Sequence, residues 1–218
     1  MGEPIKKITD LTIGQSFMQV NLVQGYKYID RAGEIVNNFY HNKKAPAFNM
    51  DLNGLVIFSP EDKAQQFKVS PNAIWAFFLK PDSMEYMDSF FVKKAESVAK
   101  ILDVKEVNRI GWRHYFIHEF KDEAQRDACF KKLTSFENTS VEGITLRSEM
   151  QKVSLTIRLK QIVKKEDKPF PGILIDVDLF REYGDNLSVS KISSAFSDFK
   201  KVVRSDDFLA LVNKIISG

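Results

Sequence analysis

The stretch from Arg109 to Phe120, RIGWRHYFIHEF, decides how the rest of the chain is read. Its density of β-branched and aromatic residues favours extended backbone, where successive side chains point to opposite faces. Trp112, His114, Phe116, His118 and Phe120 then share one face, and Arg109, Gly111, Arg113, Tyr115 and Ile117 share the other. His114 and His118 are separated by about 13 Å on a strand that rises roughly 3.3 Å per residue. Two imidazoles on one zinc ion each lie about 2.1 Å from it, so this pair alone cannot chelate and no metal is expected. Arg109 and Arg113 are candidates for an anion site, because a guanidinium fork binds phosphate or carboxylate through two bonds. His114 and His118 join that candidate set as acid–base groups. The structural alternative spends both arginines on acids of neighbouring strands or on an aromatic ring. Gly111 between large neighbours predicts a bulge or a close backbone approach.

Working outward, the clearest helix precedes this strand. Met84, Met87, Phe91, Ala95, Val98 and Leu102 recur at helical spacing. Asp82 or Ser83 can cap it, with Glu85 placed as in a capping box over Asp82. Earlier still, strands are predicted over 16–23, 54–59, 66–69 and 72–79, with a helix over 26–40 that the polar stretch 41–46 ends. After the central strand come a helix over 122–133 and strands over 153–163 and 173–180, joined by a charged loop. Helices over 188–203 and 206–216, the first capped by Ser188, close the chain. The order β-α-β-β-β-α-β-α, then β-β-α-α, lacks the alternation of a doubly wound parallel sheet. It predicts an α+β fold of mainly antiparallel sheet covered by helices. One unit over 1–218 is expected, with lobes 1–138 and 139–218 as the alternative.

Composition sets the outer bounds. A chain of 218 residues buries roughly 70% of its unfolded surface and needs no staples. Its 18 phenylalanines, against two tryptophans and six tyrosines, predict an aromatic-rich core. A net charge of +3, from 32 basic and 29 acidic residues, implies no polyanionic partner by itself. The one local excess of lysine, Lys160, Lys164, Lys165 and Lys168, makes that hairpin a nucleic-acid candidate. Cys129 stands alone, which excludes an internal disulfide or a multi-cysteine zinc site; on a predicted helix beside acids it has no setting that favours a thiolate. Asp176 and Asp178 share a strand face and could hold magnesium. Pairing with Arg158 and Lys160 on the preceding strand is the favoured reading. No phosphate-binding glycine loop and no G-x-S-x-G elbow occurs, so no cofactor is expected. No secretory h-region and no membrane-length apolar run is visible, which makes the cytoplasm the default.

A further pattern is carried by Tyr86, Asp88 and Phe90 in EYMDSFF, by Arg109, Ile110, Gly111, Trp112, Arg113 and Tyr115, and by Ser194, Ala195 and Phe196. Here the chain resembles a sporadically distributed, functionally uncharacterised prokaryotic protein family with an Arg-Ile-Gly-Leu-Arg-Tyr strand after a long helix. Trp112 stands where that motif has leucine, and His114 is inserted before the aromatic. The resemblance covers about half of the chain and implies a prokaryotic protein with no catalytic residue to carry over. The expectation is a non-catalytic binding or interaction protein with a protein partner, or a homodimer through an exposed edge strand. The alternatives are an enzyme that holds an anionic substrate on Arg109 and Arg113, and a nucleic-acid binder.

Overall fold

The computed structural model describes residues 5–7, 11–23, 26–59, 65–133, 143–150, 153–165 and 168–217. The strands are β1 (Thr12–Leu22), β2 (Ala47–Asp51), β3 (Gly54–Phe58), β4 (Gln65–Val69), β5 (Ala73–Leu79), β6 (Glu106–Glu119), β7 (Gly143–Met150), β8 (Val153–Lys165) and β9 (Lys168–Ser188). The helices are α1 (Ala32–Asn37), α2 (Met84–Ile101), α3 (Glu123–Leu133), α4 (Ile192–Val203) and α5 (Asp206–Ser217). The pairs β1–β5, β2–β3, β3–β4, β4–β5 and β7–β8 are all antiparallel. The α+β class read from the sequence therefore holds.

Two compact units interleave along the chain. One comprises 15–113 and 180–198 and carries Arg109 and Arg113; it is called the arginine unit. The other comprises 1–14, 114–179 and 199–218 and carries His114 and His118; it is called the histidine unit. They do not part at 138/139. Strand β6 leaves one unit and enters the other between Arg113 and His114, and β9 does so between Leu179 and Phe180. Two long strands thus serve both units, which a division by sequence cannot express.

In the arginine unit the strand order is β2-β3-β4-β5-β1-β6-β9. One sheet face carries the row Ile57, Phe67, Ala76, Met18 and the row Leu55, Val69, Ile74, Val20, each residue opposite the next. All eight side chains are buried. Helix α2 covers this face with Met87, Phe91, Ala95 and Val98, and Phe91 lies 6.0 Å from Phe67 and 5.4 Å from Phe196 of α4, centroid to centroid. The phenylalanine-rich core is real. Ser83 starts α2, its Oγ accepting from the Tyr86 N–H at 3.1 Å. The cap is Ser83 rather than Asp82, so the residue three along is Tyr86 and no capping box with Glu85 forms.

The predicted helix over 26–40 shrinks to a 3-10 turn at 26–28 and the six residues of α1. Its tail is held by Phe39, whose ring packs at a tilt on Phe67 with 4.7 Å between centroids, and by Lys94, which donates to the Asn38 carbonyl. In the histidine unit the order is β6-β9-β8-β7. Leu155, Ile157, Leu159, Ile173, Ile175, Val177 and Leu179 are buried, as their alternation predicts. Helices α3 and α5 are joined where the Cys129 thiol donates to the Ile215 carbonyl at 2.9 Å.

Candidate functional site

The opposite face of the arginine unit's sheet is built from the alternate residues. Its two rows are Phe58, Gln66, Phe77, Phe17 and Val56, Lys68, Trp75, Gln19, again each opposite the next. None of these eight is buried. Phe17 and Phe77 pack ring to ring at 4.9 Å, and the Lys68 ammonium stands 5.9 Å from the centre of Trp75. On the adjoining strands, Arg109 lies 4.9 Å over Phe180 and its Nε is 3.8 Å from a Glu182 carboxylate oxygen that is itself well exposed. Gly111 and Arg113 sit on the same side of β6. Among the described residues the result is a half-exposed, open sheet face on which aromatic rings and cations interleave.

The alternation of β6 arises from the core beneath it. Ile110, Trp112, His114 and Phe116 are buried at 0% exposure, with Gly111, Arg113 and Tyr115 half-exposed between them. Trp112 is buried with its polar edge satisfied: the indole N–H donates to Ser16 Oγ at 3.1 Å, and that hydroxyl donates to the Arg113 carbonyl at 3.2 Å. Phe196 closes over the indole at 5.9 Å. Fixing the indole inward fixes the guanidiniums outward. The burial phase passes through Gly111 without a break. It slips instead at Asn108–Arg109, between buried Val107 and buried Ile110, so the burial pattern shows no bulge at Gly111.

The four candidate anion-site residues do not form one constellation. Arg109 and Arg113 share the open face, but His114 points the other way and is buried beside Phe116, 5.4 Å between rings. Burial lowers its pKa to about 3, so the ring is neutral at ordinary pH. His118 meets Phe120 edge-on at 4.8 Å, and burial pushes its pKa down as well. Both belong to the histidine unit. A guanidinium anion clamp with a histidine acid–base partner on adjacent β6 residues would require side chains on one face, which alternation forbids.

Two further candidates sit in structural settings. Arg158 Nη1 lies 3.4 Å from Asp176 and 3.9 Å from Asp178, the cross-strand pairing favoured by the sequence, while Lys160 is exposed on the same strand. The Cys129 thiol is raised to about 11 by burial, far from a thiolate at neutral pH. The side chains of Lys164, Lys165 and Lys168, and residues 166–167 altogether, lie outside the described residues. Among the described residues no group of three or more His, Cys, Asp or Glu is placed to hold a metal ion. No helix there is long and apolar enough to cross a membrane. A groove of about 630 Å3 opens where α2 turns into β6, between Val23, Leu102 and Lys105. Its Lys27 is paired with Asp103 at 3.2 Å, and neither Arg109 nor Arg113 lines it.

Phe17, Lys68, Trp75 and Phe77 were not legible as site residues. In β5, AIWAFFL, both faces are apolar, so periodicity cannot say which ring is covered. The one available signal was the alternation of Phe17, Gln19 and Asn21 in β1. No protein-family model and no curated protein matches this sequence.

Proposed function

We propose that this chain is a non-catalytic binding protein that engages a protein partner on the open sheet face of the arginine unit. The observation that carries the reading is the interleaving of Phe17, Phe77, Trp75 and Phe180 with Lys68, Arg109 and Arg113 on a face whose reverse side is buried from β3 to β1. Aromatic and arginine side chains dominate the energetics of protein interfaces. Arginine and lysine among them favour a partner segment that carries acidic side chains or a carboxy terminus. An enzyme reading gains no support from the neutral, inward His114 or from the neutralised groove at the end of α2.

Membership of the sporadically distributed prokaryotic family, and a cytoplasmic setting, belong to the same proposal. The Arg109-Ile-Gly segment follows the long helix α2, as in that family's pattern. A photo-crosslinking phenylalanine analogue at Phe77, in cells that express the full chain, tests the reading. A discrete protein adduct that disappears with Arg113→Glu is expected. Adducts to nucleic acid alone, or none, would contradict it.

A further inference from the structure

The covered layer of the arginine unit stops one strand short of the sheet edge. In register, Phe48 of β2 stands opposite Ile57, and Met50 opposite Leu55. These are the first residues of the two buried rows that continue through Phe67, Ala76, Met18 and through Val69, Ile74, Val20. Every inner member of those rows is at most 1% exposed, yet Phe48 is 56% and Met50 44% exposed. Leu52, in the turn that follows, is 85% exposed. The core face thus runs on into solvent on an edge strand.

That edge is held rigid. The buried Tyr28 hydroxyl donates to the carbonyls of Asp51 (3.1 Å) and Leu52 (2.9 Å). The Asp51 carboxylate accepts from the N–H of Asn53 and Gly54 at 2.7 and 3.1 Å. Gly54 has φ +150°, and a Cβ there would meet the Val69 carbonyl at 2.6 Å. At the other end, His41 and Lys44 exchange backbone hydrogen bonds around Asn42 and Lys43, both at positive φ. Edge strands are usually blunted by an internal lysine, proline or bulge; β2, AFNMD, has none.

We infer that a second copy of this chain pairs with β2 across a two-fold axis at Asn49, antiparallel, to form a homodimer through a continuous sheet. The segment is self-complementary in that register. Phe48 meets the partner's Met50 on the apolar side, Asn49 meets the partner's Asn49 on the polar side, and Ala47 meets the partner's Asp51. The ends agree in charge as well: exposed Lys43 and Lys44 precede β2 and Asp51 closes it. An antiparallel pair sets the basic end of one copy toward the acidic end of the other, whereas a parallel pair would oppose like charges. Isologous contact of one patch with itself is the commonest way chains dimerise. The inference does not depend on what the open face binds, since β2 is a separate edge.

The full chain is followed by sedimentation over a concentration series, with Phe48→Lys and Met50→Glu made singly. The wild type is expected to shift from 25.1 kDa to twice that mass. Each variant alone is expected to dissociate at least ~30-fold more readily, as loss of an interface hot spot does. An equimolar mixture of the two variants regains the dimer. In the mixed pair the introduced ammonium faces the introduced carboxylate across the axis, while the native Met50 of one variant still faces the native Phe48 of the other. Circular dichroism on each variant separates dissociation from misfolding, and rescue by mixing does so independently. A wild type that stays monomeric overturns the inference and leaves the edge to a foreign strand. Variants that self-associate like the wild type, or a mixture that stays monomeric, overturn it equally.

Discussion

The two faces of the arginine unit's sheet use the same strands and nearly the same residue types, and they do opposite things. Inward, Phe67 and Phe78 pack against Phe91 and Phe90 of α2, and Met18 and Ala76 are buried with them. Outward, one residue along, Phe17, Trp75 and Phe77 keep part of their rings exposed beside Lys68. Hydrophobicity alone does not separate the faces; what separates them, among the described residues of this unit, is that α2 covers one of them. The covered face sets the stability of the unit, and the open face is the one proposed here for recognition.

Substitutions can break that contrast, beginning with the strongest. Trp112→Ala removes a fully buried indole and should cost about 3–5 kcal/mol in chemical denaturation; a loss below about 1 kcal/mol would mean that the inner face is not the core. Acid offers the next largest effect. His114 is held below its unfolded pKa, so between pH 6.5 and its folded value of about 3 the unfolded chain binds more protons and stability falls as pH falls. Two pH units below the unfolded value the loss from this group is about 3 kcal/mol. His114→Leu should flatten that limb of the stability curve relative to wild type, and an unchanged slope would show that the ring is not buried neutral.

Smaller effects sharpen the comparison. Ser16→Ala strands the buried Trp112 N–H, which now donates to Ser16 Oγ, and should cost about 1–3 kcal/mol, whereas Ser16→Thr should keep most of it. Smallest of all, Arg109→Ala on the open face should change stability by less than about 1 kcal/mol, because the Arg109 side chain and above all the Glu182 carboxylate keep part of their surface in solvent. A cost comparable with that of Trp112→Ala would move Arg109 from recognition to structure.

Much of this was legible from local pattern. The strict alternation of RIGWRHYFIHEF put Trp112 and His114 on one face and both arginines on the other, because a strand has a side-chain period of two; which face is buried came from the structure. The amphipathic spacing of α2 and the ion pairing of Asp176 and Asp178 with Arg158 were readable for similar reasons. Strand β2 was not legible: AFNMD is exposed throughout, and turn signals on both sides hide its pairing with β3. Strand β7, Gly143–Met150, was missed as well, since its pairing with β8 is a long-range fact that no local spacing encodes. The open face stayed hidden for a third reason. An aromatic ring reads the same in a sequence whether a helix covers it or not.

The most direct test is the triple replacement Phe17→Thr, Trp75→Thr and Phe77→Thr, measured for folding and for partner capture together. If the outward face is for recognition, the protein should still unfold cooperatively and keep the near-ultraviolet dichroism of buried Trp112, while the adduct formed by a crosslinker placed at Phe180 is lost. A triple variant that no longer folds, or one that folds and still captures its partner undiminished, would contradict the division of labour between the two faces.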